Sequence, residues 1–123
     1  MRSRVQEIAL LAYGCVMEVK GKSFEGKYSS HARKLPSMIV QNGIMTTLTF
    51  MKSKASSDDG WKTLLSHVEI YMSDMENKKG DNLLKLFGEM ELSEYRLYTQ
   101  KLLYFAQWLK RMVEGELKDE QSS

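Results

Sequence analysis

The sequence contains few side chains of the kind that catalyse reactions or hold metal ions. The candidates are two histidines, His31 and His67, and a single cysteine, Cys15. The histidines lie on different predicted helices, and neither has a second histidine or cysteine at the spacing of a metal site. We predict that His67 is a packed structural residue, that His31 is a half-exposed surface residue, and that Cys15 is a buried structural thiol.

Adjacent carboxylates at Asp58 and Asp59 suggest a second kind of chemistry, a metal-dependent nuclease. Acidic residues at the start of a helix are also typical N-caps that complement the helix dipole, and we favour that interpretation. The sequence has no glycine-rich phosphate loop, nucleophile elbow or cysteine pair. We therefore expect no catalytic residue, metal, cofactor or small-molecule substrate, and an enzyme is the weakest hypothesis.

Positive charge is concentrated in the first half of the chain. Residues 1–57 contain nine Lys and Arg against three Glu, a net charge of +6, whereas residues 58–123 contain nine against 13 Asp and Glu, a net charge of −4. This asymmetry suggests a basic face that meets polyanions and a separate acidic face, and scatter over a solvated surface is the alternative. The predicted contacts to nucleic-acid phosphates are Arg33, Lys34, Lys52, Lys54, Lys110 and Arg111, with Arg4 and Lys20 as secondary candidates.

The elements that must position these side chains are predicted to be helices, because apolar residues recur every three or four positions. The first helix covers residues 5–19. Another starts at Asp58 or Asp59 and closes at Gly80, and its apolar stripe includes Trp61.

Three further helical stretches follow from the same spacing and from helix-breaking residues. A short helix is expected over residues 27–34. A second short helix is capped by Asp81 and stops near Gly88, and the longest helix starts at a Ser93 cap and continues past Val113. The predicted loops cover residues 21–26, 53–58 and 77–81.

The segment over residues 35–54 has two interpretations. Asn42-Gly43 between apolar runs is typical of a β-hairpin turn. Neither flank alternates cleanly between apolar and polar residues, however, and several apolar residues fall at helical spacing. The pattern favours one buried helix entered at Pro36, in which Gly43 is tolerated because a neighbouring helix packs close to it. The hairpin remains the alternative.

These patterns predict an all-α fold, a single compact domain of about six helices. The domain covers residues 1–118, and a polar tail covers residues 119–123. No apolar run reaches the roughly 18 residues that a membrane helix needs. No signal-peptide cleavage pattern follows the apolar start, so we expect a cytoplasmic protein.

Two stretches of the sequence resemble one known family. The first is YSSHARKLPSMIVQNGIMTTLTFMKSK, residues 28–54, and the second is YRLYTQKLLYFAQWLKRMVEGEL, residues 95–117. Both resemble the small all-helical subunit of the type III-B CRISPR effector, the Cmr complex, and the resemblance extends over nearly the whole chain. It implies that residues 35–54 are helical, so that Asn42-Gly43 would be a helix-packing feature.

The resemblance also implies a function. Copies of such a subunit stack into a filament beside the backbone subunits and the guide RNA, and they help to line the channel that takes target RNA in antiviral defence. RNA cleavage belongs to the backbone subunit, and nucleotide-cyclising or DNA-directed activity to the large subunit. A head-to-tail stack needs two different, complementary surfaces, which a basic and an acidic face would supply. The alternative is a free-standing helical adapter that binds a partner protein without nucleic acid.

Overall fold

Six helices form in the described part of the chain, which is residues 1–79 and 82–118 of a computed structural model. They are α1 (Arg4–Val19), α2 (Glu25–Asn42), α3 (Ile44–Ala55), α4 (Asp59–Glu76), α5 (Leu83–Gly88) and α6 (Leu92–Glu116). These residues contain no strand, so the all-α prediction is confirmed and the hairpin alternative is wrong. The predicted tail and the predicted roles of Gly80 and Asp81 lie outside the described residues.

α2 and α6 form the centre of the bundle and run antiparallel. The backbone N–H of Lys118 donates to the Glu25 carboxylate at 3.0 Å, which ties the start of α2 to the end of α6. Further along α2, the Arg33 guanidinium lies 3.9 Å from the carboxylate of Glu114. This contact places the Arg33 side chain of α2 beside α6, the helix that carries Lys110 and Arg111.

α4 closes the bundle against α1, α2 and α6. The Tyr71 ring stacks on Phe105 of α6, with the ring centroids 4.6 Å apart. Burial of such large side chains supplies most of the free energy that holds the helices together. The largest fully buried side chains are Tyr28, Tyr71, Phe87, Phe105, Leu35, Ile44, Met51, Leu64, Met72, Leu102, Leu109 and His67.

Polar side chains define several helix starts. Asp58 caps α4 by accepting a hydrogen bond from the Trp61 N–H at 3.1 Å, which confirms the cap interpretation of that carboxylate. α6 starts earlier than the sequence pattern predicts. Its N-cap is Glu91, which makes no side-chain capping bond, so Ser93 lies inside the helix and the predicted Ser93 cap is wrong.

The prediction of one helix entered at Pro36 is wrong. α2 begins at Glu25 and runs through Pro36, so the short helix predicted over residues 27–34 is part of its first half. Proline removes one backbone hydrogen bond, but Leu35 and Ile39 on either side of it are buried. This tertiary packing outweighs the local preference for a break.

Gly43 separates α2 from α3. Its φ of 82° and ψ of 163° lie in a region that is essentially restricted to glycine. Its N–H donates to the Ile39 carbonyl at 2.9 Å, and its own carbonyl accepts from the Thr47 hydroxyl at 2.8 Å. A Cβ at Gly43 would meet nothing within 4 Å, so the predicted close neighbour is wrong. Glycine is required by the backbone conformation of a helix-to-helix junction.

Candidate nucleic-acid interface

α2, α3 and the short loop after α3 contain the longest stretch of sequence without an acidic residue. Residues 26–57 contain five Lys and Arg and no Asp or Glu. Lys27, Lys34, Lys52 and Lys54 are exposed. A surface of this kind attracts a polyanion without reading its sequence.

Four of the predicted residues lie on the two helices of the α2–α6 seam, Arg33 and Lys34 on α2 and Lys110 and Arg111 on α6. Arg33 lies beside Glu114, and Lys110 is one helical turn before Glu114 on α6. Lys34 follows Arg33, and both Lys34 and Lys110 are exposed. Arg111 is also exposed, and its guanidinium lies 5.0 Å from the centroid of the Trp108 ring.

The other two primary candidates lie in the last turn of α3. Lys52 borders a small pocket that is also lined by Leu48, Leu65 and Glu69. The Lys54 ammonium lies 5.6 Å from the centroid of the exposed Phe50 ring. This pair sits on a different element from the seam residues, so the candidates form two groups of basic side chains.

The secondary candidates are both ion-paired. The Arg4 guanidinium lies 2.9 Å from the Glu76 carboxylate and donates to the Met75 carbonyl at 2.6 Å. Lys20 lies 3.9 Å from Glu116 near the ends of α1 and α6. Arg4 therefore joins α1 to α4, in addition to any role at the surface.

His31 is more buried than the sequence indicated, and the half-exposed prediction is wrong. Its side chain is 12% exposed, and its ring stacks on Trp61 with the centroids 4.0 Å apart. Its Nε2 lies 3.1 Å from the Asp58 carboxylate. Burial alone would raise the pKa of Asp58, but hydrogen bonds from the Trp61 N–H and from His31 hold that pKa below its ordinary value.

His67 is buried, as predicted, and joins three helices. Its Nδ1 lies 2.7 Å from the Tyr28 hydroxyl, and its Nε2 lies 3.3 Å from the Glu18 carboxylate. Burial raises the pKa of Tyr28, so its hydroxyl keeps its proton and donates to Nδ1. Nε2 then carries the ring hydrogen and donates to Glu18, because a carboxylate only accepts. This network fixes α2 and α1 to α4.

We expect the protein to become less stable as the pH falls below about 6.5. Burial lowers the pKa of His67 below its ordinary value of 6.5, although the Glu18 hydrogen bond opposes this shift. The unfolded chain therefore binds the proton first, and the stabilisation is complete above pH 6.5 and is lost as the pH falls through the folded pKa. Urea unfolding between about pH 7.5 and 5 measures the trend. A His67→Gln variant with an equally steep decline over this range would rule out His67 as its cause.

Within residues 1–79 and 82–118, the acidic and sulfur-containing side chains do not assemble into a recognisable metal site. Among the described residues, no group of three or more His, Cys, Asp or Glu is placed to hold a metal ion. Asp58 is engaged by the α4 cap and by His31. Cys15 is buried, as predicted, and burial raises its pKa to about 12. None of the described helices is long and apolar enough to cross a membrane.

Comparison with known protein families assigns the chain. A family model described as CRISPR-associated protein (Cas_Cmr5) matches residues 4–116. The chain belongs to this family. A relative from Thermotoga maritima, named CRISPR system Cmr subunit Cmr5, is 31% identical over 127 residues, covering 99% of this chain and 91% of that protein. The resemblance inferred from residues 28–54 and 95–117 is confirmed.

Relatives from Thermus thermophilus agree with this assignment. One, also named CRISPR system Cmr subunit Cmr5, is 28% identical over 119 residues, covering 97% of this chain and all of that protein. A crystal structure of a CRISPR-associated Cmr5 family protein from the same organism superimposes with a TM-score of 0.83 at 28% identity. The match covers 96% of this chain and 100% of the other. The six-helix arrangement is therefore the Cas_Cmr5 fold.

Proposed function

We propose that this member of the Cas_Cmr5 family is a non-catalytic subunit of a type III-B Cmr effector complex, active in antiviral defence in the cytoplasm. It assembles with the backbone and large subunits of the complex and stacks on copies of itself. The resulting filament helps to hold guide RNA and target RNA. All of these contacts are made by one domain over residues 1–118.

The acid-free basic stretch over residues 26–57 carries the RNA part of this proposal. Five cationic side chains in a stretch of sequence without Asp or Glu suit a phosphate backbone and need no base-specific contact. The primary contacts are Arg33, Lys34, Lys52, Lys54, Lys110 and Arg111, with Arg4 and Lys20 in secondary positions. The names of the relatives, which are subunits of the CRISPR Cmr system, support the assembly part.

An apolar surface on α1 supports contact with other proteins. Leu10 and Tyr13 are exposed, and together with Ala9 and Met112 they line an open groove between α1 and α6. Arg2 stands beside this groove, which suits a neighbour that combines apolar and acidic side chains. The more acidic second half of another copy meets that description, so the two charge types serve a head-to-tail stack.

Charge reversal at the end of α3 tests the RNA contact. We expect the Lys52→Glu/Lys54→Glu double variant, reconstituted into the complex, to bind target RNA more weakly. Loss of two phosphate contacts to a single strand lowers the slope of log affinity against log salt concentration by about 1.4. Filter binding over a range of salt concentrations measures this slope, and Lys79→Glu/Lys85→Glu serves as the control with an equal change in net charge.

An unchanged salt slope would remove Lys52 and Lys54 from the RNA contact. An equal loss in the control variant would attribute the effect to net charge instead of position. The adapter alternative predicts a different result altogether, in which the protein captures a partner protein in a salt-insensitive manner and neither lysine pair affects RNA.

A further inference from the structure

Phe50 is an aromatic side chain that the packing of the bundle leaves at the surface. It lies on α3 and is 38% exposed, whereas the neighbouring Met51 and Leu48 on the same helix are buried. The sequence pattern predicts that α3 is buried on all sides, and Phe50 shows that one of its faces is open. Part of the Phe50 ring packs against the buried Trp61, and the part that reaches solvent is accessible to a ligand.

Contacts with other aromatic rings hold the Phe50 ring in one orientation. It packs edge-on against Trp61, with the centroids 5.2 Å apart and the planes at 86°. Trp61 is itself stacked on His31, with the planes within 9° of parallel. The chain of three rings spans α3, α4 and α2, so Phe50 is positioned before any ligand arrives. A preorganised ring loses little conformational entropy on binding.

The surroundings of Phe50 are cationic and rich in hydroxyl groups. Lys54 lies 5.6 Å from the ring centroid, at the end of an exposed side chain that can leave the ring and pair with an anion. Thr49 and Ser53 donate their hydroxyl hydrogens to backbone carbonyls, which leaves their oxygens able to accept. With Leu84 of α5 they line an open groove beside Phe50 of about 470 Å³, larger than a single nucleobase needs.

We propose that Phe50 is a stacking platform for an unpaired base of single-stranded RNA, with Lys54 meeting a flanking phosphate. This inference rests on the proposed function and adds a base contact to a surface otherwise argued from phosphates alone. An aromatic ring beside a cationic side chain is a usual arrangement for sequence-tolerant binding of single strands. On binding, the base displaces the Lys54 ammonium from the Phe50 ring, and that ammonium pairs with the adjacent phosphate.

The charge around the groove favours RNA over a protein partner. None of the described residues that line the groove is acidic, and Lys54 lies beside it, so an incoming basic protein surface would meet repulsion and an RNA strand would meet attraction. Substitutions of Phe50 can then distinguish an RNA base from a protein partner in this groove. A base needs the flat π-face of an aromatic residue, whereas an apolar protein contact is satisfied by any side chain of similar bulk.

Purified protein and a short oligouridylate test the platform. We expect Phe50→Leu to weaken binding by about tenfold and Phe50→Tyr to retain it, because stacking on an aromatic ring contributes roughly that factor per base. An oligonucleotide of the same length with abasic sites tests the base directly. Wild type should prefer the base-containing strand by a similar factor, and Phe50→Leu should lose that preference while its salt slope stays the same. Thermal unfolding confirms that both variants are folded.

The following outcomes would each contradict base stacking on Phe50. The proposed function would still be tested separately, by the Lys52 and Lys54 variants. Equal binding by Phe50→Leu and wild type, or wild-type indifference to abasic sites, would show that no base stacks there. Failure of the isolated protein to bind RNA would do the same, whereas Lys52 and Lys54 are tested separately within the complex. If Phe50→Leu retained and Phe50→Asp lost association with a protein subunit, without an effect on RNA, the groove would be a protein contact.

Discussion

Replacing Glu76 by Gln is expected to lower the free energy of unfolding by roughly 3 kcal/mol. The Glu76 side chain is 5% exposed and accepts hydrogen bonds from three other side chains. Arg4 lies at 2.9 Å, Lys101 at 3.1 Å and the Tyr71 hydroxyl at 2.5 Å. One carboxylate thus joins α1, α4 and α6. Glutamine keeps the shape of the side chain but removes the negative charge that pairs with Arg4 and Lys101. Because both cations are partly exposed to solvent, the loss of stability is limited.

Urea unfolding at neutral pH measures the effect of Glu76→Gln, and Glu89→Gln is the matched control. Glu89 makes an exposed ion pair with Lys85 at 2.9 Å, and such pairs contribute at most about 1 kcal/mol. Burial alone would raise the pKa of Glu76, but Tyr71, Lys101 and Arg4 together lower it below the ordinary value of 4.5. The contribution is therefore present above pH 4.5 and is lost as the pH falls through the folded pKa. If Glu76→Gln and Glu89→Gln lost equal unfolding free energy at neutral pH, the stabilising role of the Glu76 ion pairs would be contradicted.

Replacing Gly60 by Ala is expected to destabilise the protein by about 1–3 kcal/mol. A Cβ at Gly60 would lie 2.9 Å from the backbone nitrogen of Tyr28 and 3.0 Å from the Cβ of Lys27. Both contacts are too short, and backbone atoms of α2 cannot move aside without disturbing the core. The close helix approach expected at Gly43 therefore occurs at Gly60, where the start of α4 meets α2.

Gly14→Ala is the control for this substitution. Gly14 lies inside α1, and a Cβ there would meet nothing within 4 Å. The same change should stabilise the protein by roughly 0.5–1 kcal/mol, because alanine favours the helix over glycine. Differential scanning calorimetry of both variants distinguishes the two glycines. A rise in melting temperature for Gly60→Ala would show that α4 does not pack tightly on α2.

The sequence predicts the helices more reliably than their boundaries. Periodic apolar residues identify α1 because Ile8, Ala12, Val16 and Val19 all face the interior. The run from α2 to α3 divides at Gly43 and not at Pro36. The sequence pattern predicts a helix start at Pro36, whereas the packing of the neighbouring residues keeps α2 continuous there. The pattern also explains Gly43 by a close neighbouring helix, whereas its backbone conformation is what requires glycine. Both errors arise because tertiary contacts, which a single sequence does not display, decide between local alternatives.

The candidate interface is predictable from the sequence only as a set of charges. The cluster of Lys and Arg in the first half is visible there, but its division between the α2–α6 seam and the end of α3 requires the fold. The helical pattern predicts one buried helix over residues 35–54, and Phe50 lies within that segment. No sequence signal marks its exposure, because the 38% that reaches solvent depends on how the starts of α4 and α5 pack beside α3. The partners of Arg4 and His67 lie on distant segments and are equally hidden.

The most direct test of the central claim is affinity purification of the tagged protein from its native host, with mass spectrometry and RNA sequencing of what co-elutes. We predict a large particle that contains the other subunits of the Cmr effector and short guide RNAs. The family assignment, the basic stretch over residues 26–57 and the apolar groove on α1 all support this result. Recovery of a single protein partner without RNA would contradict it and would favour the adapter.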